Sequence, residues 1–182
     1  MLTAKIKIWK RIPYKLGIFM ATKDYSNKQE SLVSEFLGWK KVTGSGAATC
    51  TAGDVISDKF LGECKTHEKP NSKVIFRQDV WNKISQESMI FGRVPVLFAD
   101  DGTQNFRRTY CLTKKLADMS ILPKQEFLVT DYNVNFKKQL NFDPNKIYAK
   151  FKKQNNLVLI IPWIEDVLLM NLETFNEFQY YV

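Results

Sequence analysis

Gly53-Asp54-Val55-Ile56-Ser57-Asp58-Lys59-Phe60-Leu61-Gly62-Glu63-Cys64-Lys65 is the stretch whose reading decides the fold. Two short apolar runs flank a polar break, Ser57-Asp58-Lys59, which is the local pattern of a β-hairpin. Asp54 opens the first strand, and Glu63 and Lys65 close the second. Successive side chains of a strand point to opposite faces, so Glu63 and Lys65 share one face and Cys64 takes the other. Cys64 is small and apolar enough to face a core. Two carboxylates and a lysine then meet at one end of the hairpin. Paired acids hold a divalent cation through oxygen ligands, and a lysine beside them orients water and steadies charge developing on a phosphate.

Asp54 followed by Glu63-Cys64-Lys65 resembles the Asp…Glu-x-Lys core motif of the PD-(D/E)xK nuclease superfamily. The neighbours add to the likeness. Glu30 lies upstream on an expected helix, the loop Thr43-Gly44-Ser45-Gly46-Ala47 leads into the hairpin, and an amphipathic helix starts near Gln78. That order is similar to the archaeal-type Holliday-junction resolvases and their phage-encoded relatives. The resemblance covers residues 26 to 112, and Gly53 stands where the family usually has a proline before the acid. It implies an α/β fold, a restriction-endonuclease-like mixed central sheet flanked by helices. It also implies Asp54, Glu63, Lys65 and Glu30 as catalytic residues. Mg²⁺, with Mn²⁺ as a substitute, would be held by Asp54, Glu63, Glu30 and the backbone carbonyl of Cys64. Ser45 would touch the DNA backbone, and Gln78, with Arg77 beside it, would position water or phosphate.

The 182 residues suit one domain with an appended part. Hydrophobic residues make up 45%, enough for a sizeable core and unlike a disordered chain. Twenty-seven Lys and Arg against nineteen Asp and Glu give a formal +8, which suits a polyanionic partner. Cys50, Cys64 and Cys111 are odd in number and lack close CxxC spacing. That argues against a disulfide framework or a zinc site and for a reducing cytoplasm, the host's if the protein is phage-encoded. No apolar run approaches the length of a membrane span, and no signal-peptide core is visible at the N-terminus.

Residues 1 to 28 carry Lys5, Lys7, Lys10, Arg11, Lys15, Lys23 and Lys28 against Asp24 alone. They read either as a basic arm on DNA phosphates or as an edge strand guarded by lysines. Ser26 with Gln29 forms a capping-box pattern, followed by a stripe of Leu32, Val33, Phe36 and Leu37 and a stop at Gly38. Glu30 falls at the edge of that stripe, where a side chain can look into a cleft, and Glu35 falls further into solvent. Trp39 to Val42 reads as a strand.

Beyond the hairpin, His67, Lys69 and Lys73 lie on a loop that can meet DNA. A single His cannot build a metal cage by itself. Val74-Ile75-Phe76 reads as a short strand or a buried lead-in. The helix from about Gln78 to Phe91 places Val80, Trp81, Ile84, Ser88 and Phe91 on one face. Val94 to Ala99 is a strand, Asp100-Asp101-Gly102 a turn, and Phe106 to Leu112 the return strand. A helix is expected to start within Lys114 to Met119. Asp143-Pro144 reads as a turn or a helix start, Leu157 to Ile161 as a strand, and Trp163 to Phe178 as helical.

The expected organisation is a nuclease core with a basic N-terminal segment over residues 1–112 and a C-terminal extension, 113–182, packed on the same domain. The expected function is Mg²⁺-dependent hydrolysis of phosphodiester bonds in DNA, resolving Holliday junctions as a symmetric homodimer with two sites on opposed strands. Two alternatives stay open. One is another nuclease of the superfamily, in restriction, repair or DNA processing, acting on linear, flap or single-stranded DNA. The other is a non-catalytic DNA-binding module.

Overall fold

Residues 22–42, 52–133 and 138–182 are described by the computed structural model. The basic residues Lys5, Lys7, Lys10, Arg11 and Lys15, the loop carrying Ser45, and Cys50 lie outside them.

Helix α1 spans Thr22–Leu37. It begins four residues before Ser26, so the capping-box serine sits inside the helix. Asp24 stands in the first turn, where the helix dipole favours an acid. Gly38 takes φ +69 and ends the helix, a conformation that a Cβ disfavours. Val33 and Leu37 are buried, while Leu32 and Phe36 pack on the core's margin.

Strands β1 (Lys40–Lys41), β2 (Val55–Ile56) and β3 (Phe60–Lys65) follow. The β2–β3 hairpin pairs Val55 with Gly62 and Ile56 with Leu61. After β4 (Val74–Arg77) and helix α2 (Gln78–Ile90), strand β5 (Val94–Asp100) returns parallel to β3, with Lys65 opposite Ala99. That β–α–β crossover buries Trp81, Ile84 and Ser88 of α2. Phe91 ends up 45% exposed, outside the face assigned to it.

Asp100 and Asp101 do not form a tight hairpin turn. The Asp100 carboxylate accepts the N–H groups of Gly102 and Gln104 (3.0 Å each) and the Thr66 hydroxyl (2.6 Å). The Asp101 carboxylate accepts Thr103 and pairs with Arg108. These side chains supply backbone partners for a longer loop. Phe106–Arg108 is consequently a 3₁₀ turn, and strand β6 starts only at Thr109 and runs to Lys114. The helix expected from Lys114 is replaced by irregular chain and a 3₁₀ turn at Met119–Ile121.

The remaining elements are β7 (Leu128–Asp131), β8 (Gln139–Phe142), α3 (Pro144–Lys153), β9 (Leu157–Pro162), β10 (Asp166–Asn171) and α4 (Leu172–Phe178). Asp143 caps α3 by accepting from Asn145 and Lys146, so Asp143-Pro144 is a helix start. The helix expected over Trp163 to Phe178 is instead a strand followed by a short helix. Val167-Leu168-Leu169-Met170 is fully buried between β6 and β9, and a continuous apolar run of that length has no period to separate strand from helix.

The result is an α/β fold with a mixed eight-stranded central sheet flanked by helices, in the order β1-β2-β3-β5-β6-β10-β9-β7. Strands β4 and β8 pair in a separate two-stranded sheet. The expected division after Leu112 falls inside β6, and β7, β9 and β10 belong to the same central sheet as the hairpin. Trp39, Phe60, Phe98 and Phe175 form one aromatic cluster, with Trp39 stacked on Phe60 at 5.4 Å and Phe175 edge-on to all three. Among the described residues, no helix is long and apolar enough to cross a membrane.

Candidate functional site

The end of the β2–β3 hairpin gathers the chemistry. The Asp54 N–H donates to the Gly62 carbonyl (2.7 Å), and the Asp54 carbonyl accepts the Val42 N–H (2.8 Å). Gly53 makes the preceding bend with φ +67, and a Cβ there would come within 2.9 Å of the Gly62 carbonyl oxygen. With its backbone fixed on both sides, Asp54 turns its carboxylate onto β3. Its Oδ2 accepts the Cys64 N–H at 2.8 Å. Lys65 Nζ donates to Glu63 Oε1 at 2.6 Å and to the Cys64 carbonyl at 3.2 Å. From α1, the fully buried Gln29 donates to the Lys65 carbonyl at 2.8 Å. Two carboxylates, one ammonium and one backbone carbonyl are thereby brought together.

Asp54 and Glu63 are both buried, at 8% and 7% exposure. Burial pushes the Asp54 carboxyl up to about 6, and the Glu63 charge adds to the rise. The Cys64 N–H and the Lys65 ammonium pull it back, and Glu30 adds a smaller rise. Burial by itself would lower the Lys65 pKa. The Glu63 carboxylate more than offsets it, so the ammonium is held above its ordinary value and stays charged. The Cys64 thiol is pushed well up by burial and then by Asp54, Glu30 and Glu63. A buried thiol of that kind is chemically inert, which leaves Cys64 its backbone as its means of acting.

Glu30 sits on the inner side of α1 and Glu35 is exposed, as the wheel arrangement predicts. Glu30 nevertheless pairs with Lys41 of β1, Nζ to Oε2 at 3.0 Å. Among the described residues, no group of three or more His, Cys, Asp or Glu side chains is arranged to hold a metal ion. Glu30 therefore does not complete a three-carboxylate cage with Asp54 and Glu63. Gln78 begins α2 and ties its N–H to the Lys138 carbonyl (3.0 Å), but among the described residues its side chain makes no hydrogen bond. The Arg77 guanidinium is taken up by Asp79 in a two-pronged pair (3.0 and 2.6 Å). His67 is half-buried, and Lys69 and Lys73 are exposed and form no ion pair among the described residues. Ser45 lies outside the described residues.

Three neighbours of the site escape sequence reading. Lys83 of α2 comes within 3.8 Å of Glu63 Oε2 and 3.7 Å of Glu87 Oε1. It lies off the buried stripe of its helix and reaches the acid along its flexible stem. Only the Lys83–Glu87 spacing hints at a charged patch there. Lys41 reads as a plain strand lysine. Gln29 reads as a cap residue, because a helix starting at Ser26 would place it in the first turn.

No protein-family model, no curated protein and no solved structure matches the chain. The site must therefore be judged on its own donor set. Two carboxylates and a carbonyl are hard oxygen donors, the kind that Mg²⁺ accepts while keeping several waters. Burial, and then the Glu63 charge, raise the Asp54 carboxyl to about 6, and a divalent cation bound there would favour its ionised form. The residues present thus fit such an ion.

Proposed function

We propose that the protein is a Mg²⁺-dependent DNA endonuclease with a restriction-endonuclease-like core, acting on branched DNA of the Holliday-junction type. The observation that carries the reading is the hairpin end itself: Lys65 Nζ at 2.6 Å from Glu63 Oε1, with the Asp54 carboxylate bonded to the Cys64 N–H between them. Asp54, Glu63 and the Cys64 carbonyl would hold the ion, with Mn²⁺ as a substitute. When bound, the ion supplies Lewis-acid stabilisation of phosphate charge and makes water more acidic.

The chain's own residues account for the rest. Asp54 fixes the edge of β3 through the Cys64 amide and keeps two acids together at the sheet end. Lys65, held protonated by Glu63, acts as a cation and donor: it orients the attacking water and stabilises the extra negative charge on the phosphate in the transition state. Lys83 adds a second positive charge on the far oxygen of Glu63. Glu30 contributes acidic field through its effect on Asp54, while Lys41 holds its carboxylate in place. The formal charge of +8 suits the DNA partner, and a two-fold homodimer would set two such sites on opposed strands.

The test is a panel of labelled four-way, flap, linear and single-stranded DNAs, incubated with Mg²⁺ and then with EDTA. Cleavage of the four-way substrate that stops in EDTA is expected. Cleavage confined to linear, flap or single-stranded DNA moves the protein to another nuclease of this class, and binding without any cleavage moves it to a DNA-binding module.

A further inference from the structure

Helix α3 and the 3₁₀ turn Phe106–Arg108 form a second cationic face, built from residues that take no part in the hairpin-end site. Helix α3 carries Lys146, Lys150, Lys152 and Lys153 and no acid. Pro144, Ile147 and Phe151 turn into the core, which leaves the lysines outside. Lys150, Lys152 and Lys153 stand in the last turn, where the helix dipole favours cations. Lys146 stands in the first turn, where the dipole penalises one. Helix stability therefore accounts for the lysines of the last turn and not for Lys146.

The two arginines of the adjoining turn differ in what they do. Arg108 pairs with Asp101, donates to Asn71 Oδ1 (2.9 Å) and Asn145 Oδ1 (3.2 Å), and lies 4.8 Å over the Tyr148 ring. It locks the turn onto α3. Arg107 lies 5.3 Å over the Phe106 ring, and among the described residues its guanidinium has no hydrogen bond or ion pair. Lys152, 5.7 Å over Tyr148, has none either. Both line a cavity of about 350 Å³, together with Tyr148, Asn155, Asn156 and Glu173. A scaffolded pair of unneutralised cations over aromatic rings, beside side-chain amides, is the chemistry that takes a phosphate and a base edge.

We propose that this face binds the sugar–phosphate backbone of a nucleic-acid strand and seats one nucleotide in the cavity. Arg107 and Lys152 hold a phosphate, since an arginine fork matches phosphate oxygens and each neutralised phosphate releases counterions. Asn155 and Asn156 meet the base edge, and Glu173, the one carboxylate lining the cavity, accepts from an exocyclic amino group. Lys146, Lys150 and Lys153 extend the track along the flanking backbone. The partner class rests on the nucleic-acid reading of the hairpin-end site; the binding itself does not need that site to cut.

The test measures binding of a labelled single strand and of the matching duplex in EDTA, across a salt series. The proteins are the unmodified chain, Arg107→Glu/Lys152→Glu and Arg107→Gln/Lys152→Gln. Inorganic phosphate and AMP are titrated as competitors. Both double variants should stay folded with a cooperative melt, because the altered side chains are exposed, and the Glu pair should melt slightly lower for its lost ring contacts and the acid in the last turn of α3. The charge-reversed pair should lose ~10-fold or more in strand affinity, and its plot of log affinity against log salt should be shallower by about one or more. The Gln pair should show a smaller loss in the same direction. Unchanged strand binding in both double variants overturns the proposal. So does AMP or phosphate occupying the cavity without displacing the strand. If this binding pattern holds but the unmodified protein never cuts DNA with Mg²⁺, the nuclease reading falls and this surface stands. If the protein cuts and both double variants bind as before, the reverse follows.

Discussion

Asp54 is kept in the fold against its own solvation. Its carboxyl has an ordinary value of 3.8 and is raised to about 6 in the native chain, chiefly by burial. The protonated form therefore favours folding. That contribution is complete below 3.8 and is lost as pH rises through 6, a penalty on the order of 2–3 kcal/mol above that point. Asn at this position keeps the acceptor for the Cys64 N–H and removes the charge. Asp54→Asn should thus be more stable than the unmodified protein in urea melts at about pH 8, and the gap should close at about pH 4. A gap that ignores pH contradicts the buried-charge account. The neighbouring acid is tested by a matched pair. Glu30→Gln should impair cutting, with partial rescue by added Mg²⁺ through mass action, while the exposed Glu35→Gln should be nearly silent. Equal cleavage by Glu30→Gln and unmodified protein at limiting Mg²⁺ removes Glu30 from the site.

The hairpin was legible because each of its signals is local: apolar pairs, a polar break, and alternation that separates Cys64 from Glu63 and Lys65. Its packing was not, because Gly62 looks interchangeable in sequence. A Cβ at Gly62 would come 2.6 Å from Phe98 Cε2 and 2.7 Å from Val55 Cγ2, inside the core under the site. Gly62→Ala should cost about 1–3 kcal/mol through overpacking. A urea midpoint unchanged from the unmodified protein would show that β3 and β5 have room to spare. Helix α2 was legible from Trp81, Ile84 and Ser88. Strand β10 was not, since Val167 to Met170 is buried on both faces; its partner Leu159 to Pro162 is local, but its other partner, Tyr110 to Lys114, lies far away in sequence. The approach of Lys83 to Glu63 is likewise tertiary: a flexible stem from a later helix closes the gap, and no spacing rule announces it.

The central sheet runs through both the expected core and its expected extension. Phe175 of α4 packs edge-on against Trp39, Phe60 and Phe98, directly under the hairpin, and β10 lies between β6 and β9. A fragment ending at Leu112 would cut β6 in two and expose that cluster. It should show no cooperative thermal transition by circular dichroism, and a sharp one would restore the 112/113 division. Composition made the excess of basic residues legible, but where those residues gather depended on contacts such as Arg108 with Tyr148. The most direct test of the whole account is the cleavage rate of a labelled four-way junction in Mg²⁺ by Glu63→Ala, Lys65→Ala and the unmodified protein, each first shown to be folded. The unmodified protein should cut and stop in EDTA, and each variant should be slower by about 10²-fold or more. A folded Glu63→Ala that cuts at the unmodified rate would contradict the assignment of the hairpin end as the catalytic centre.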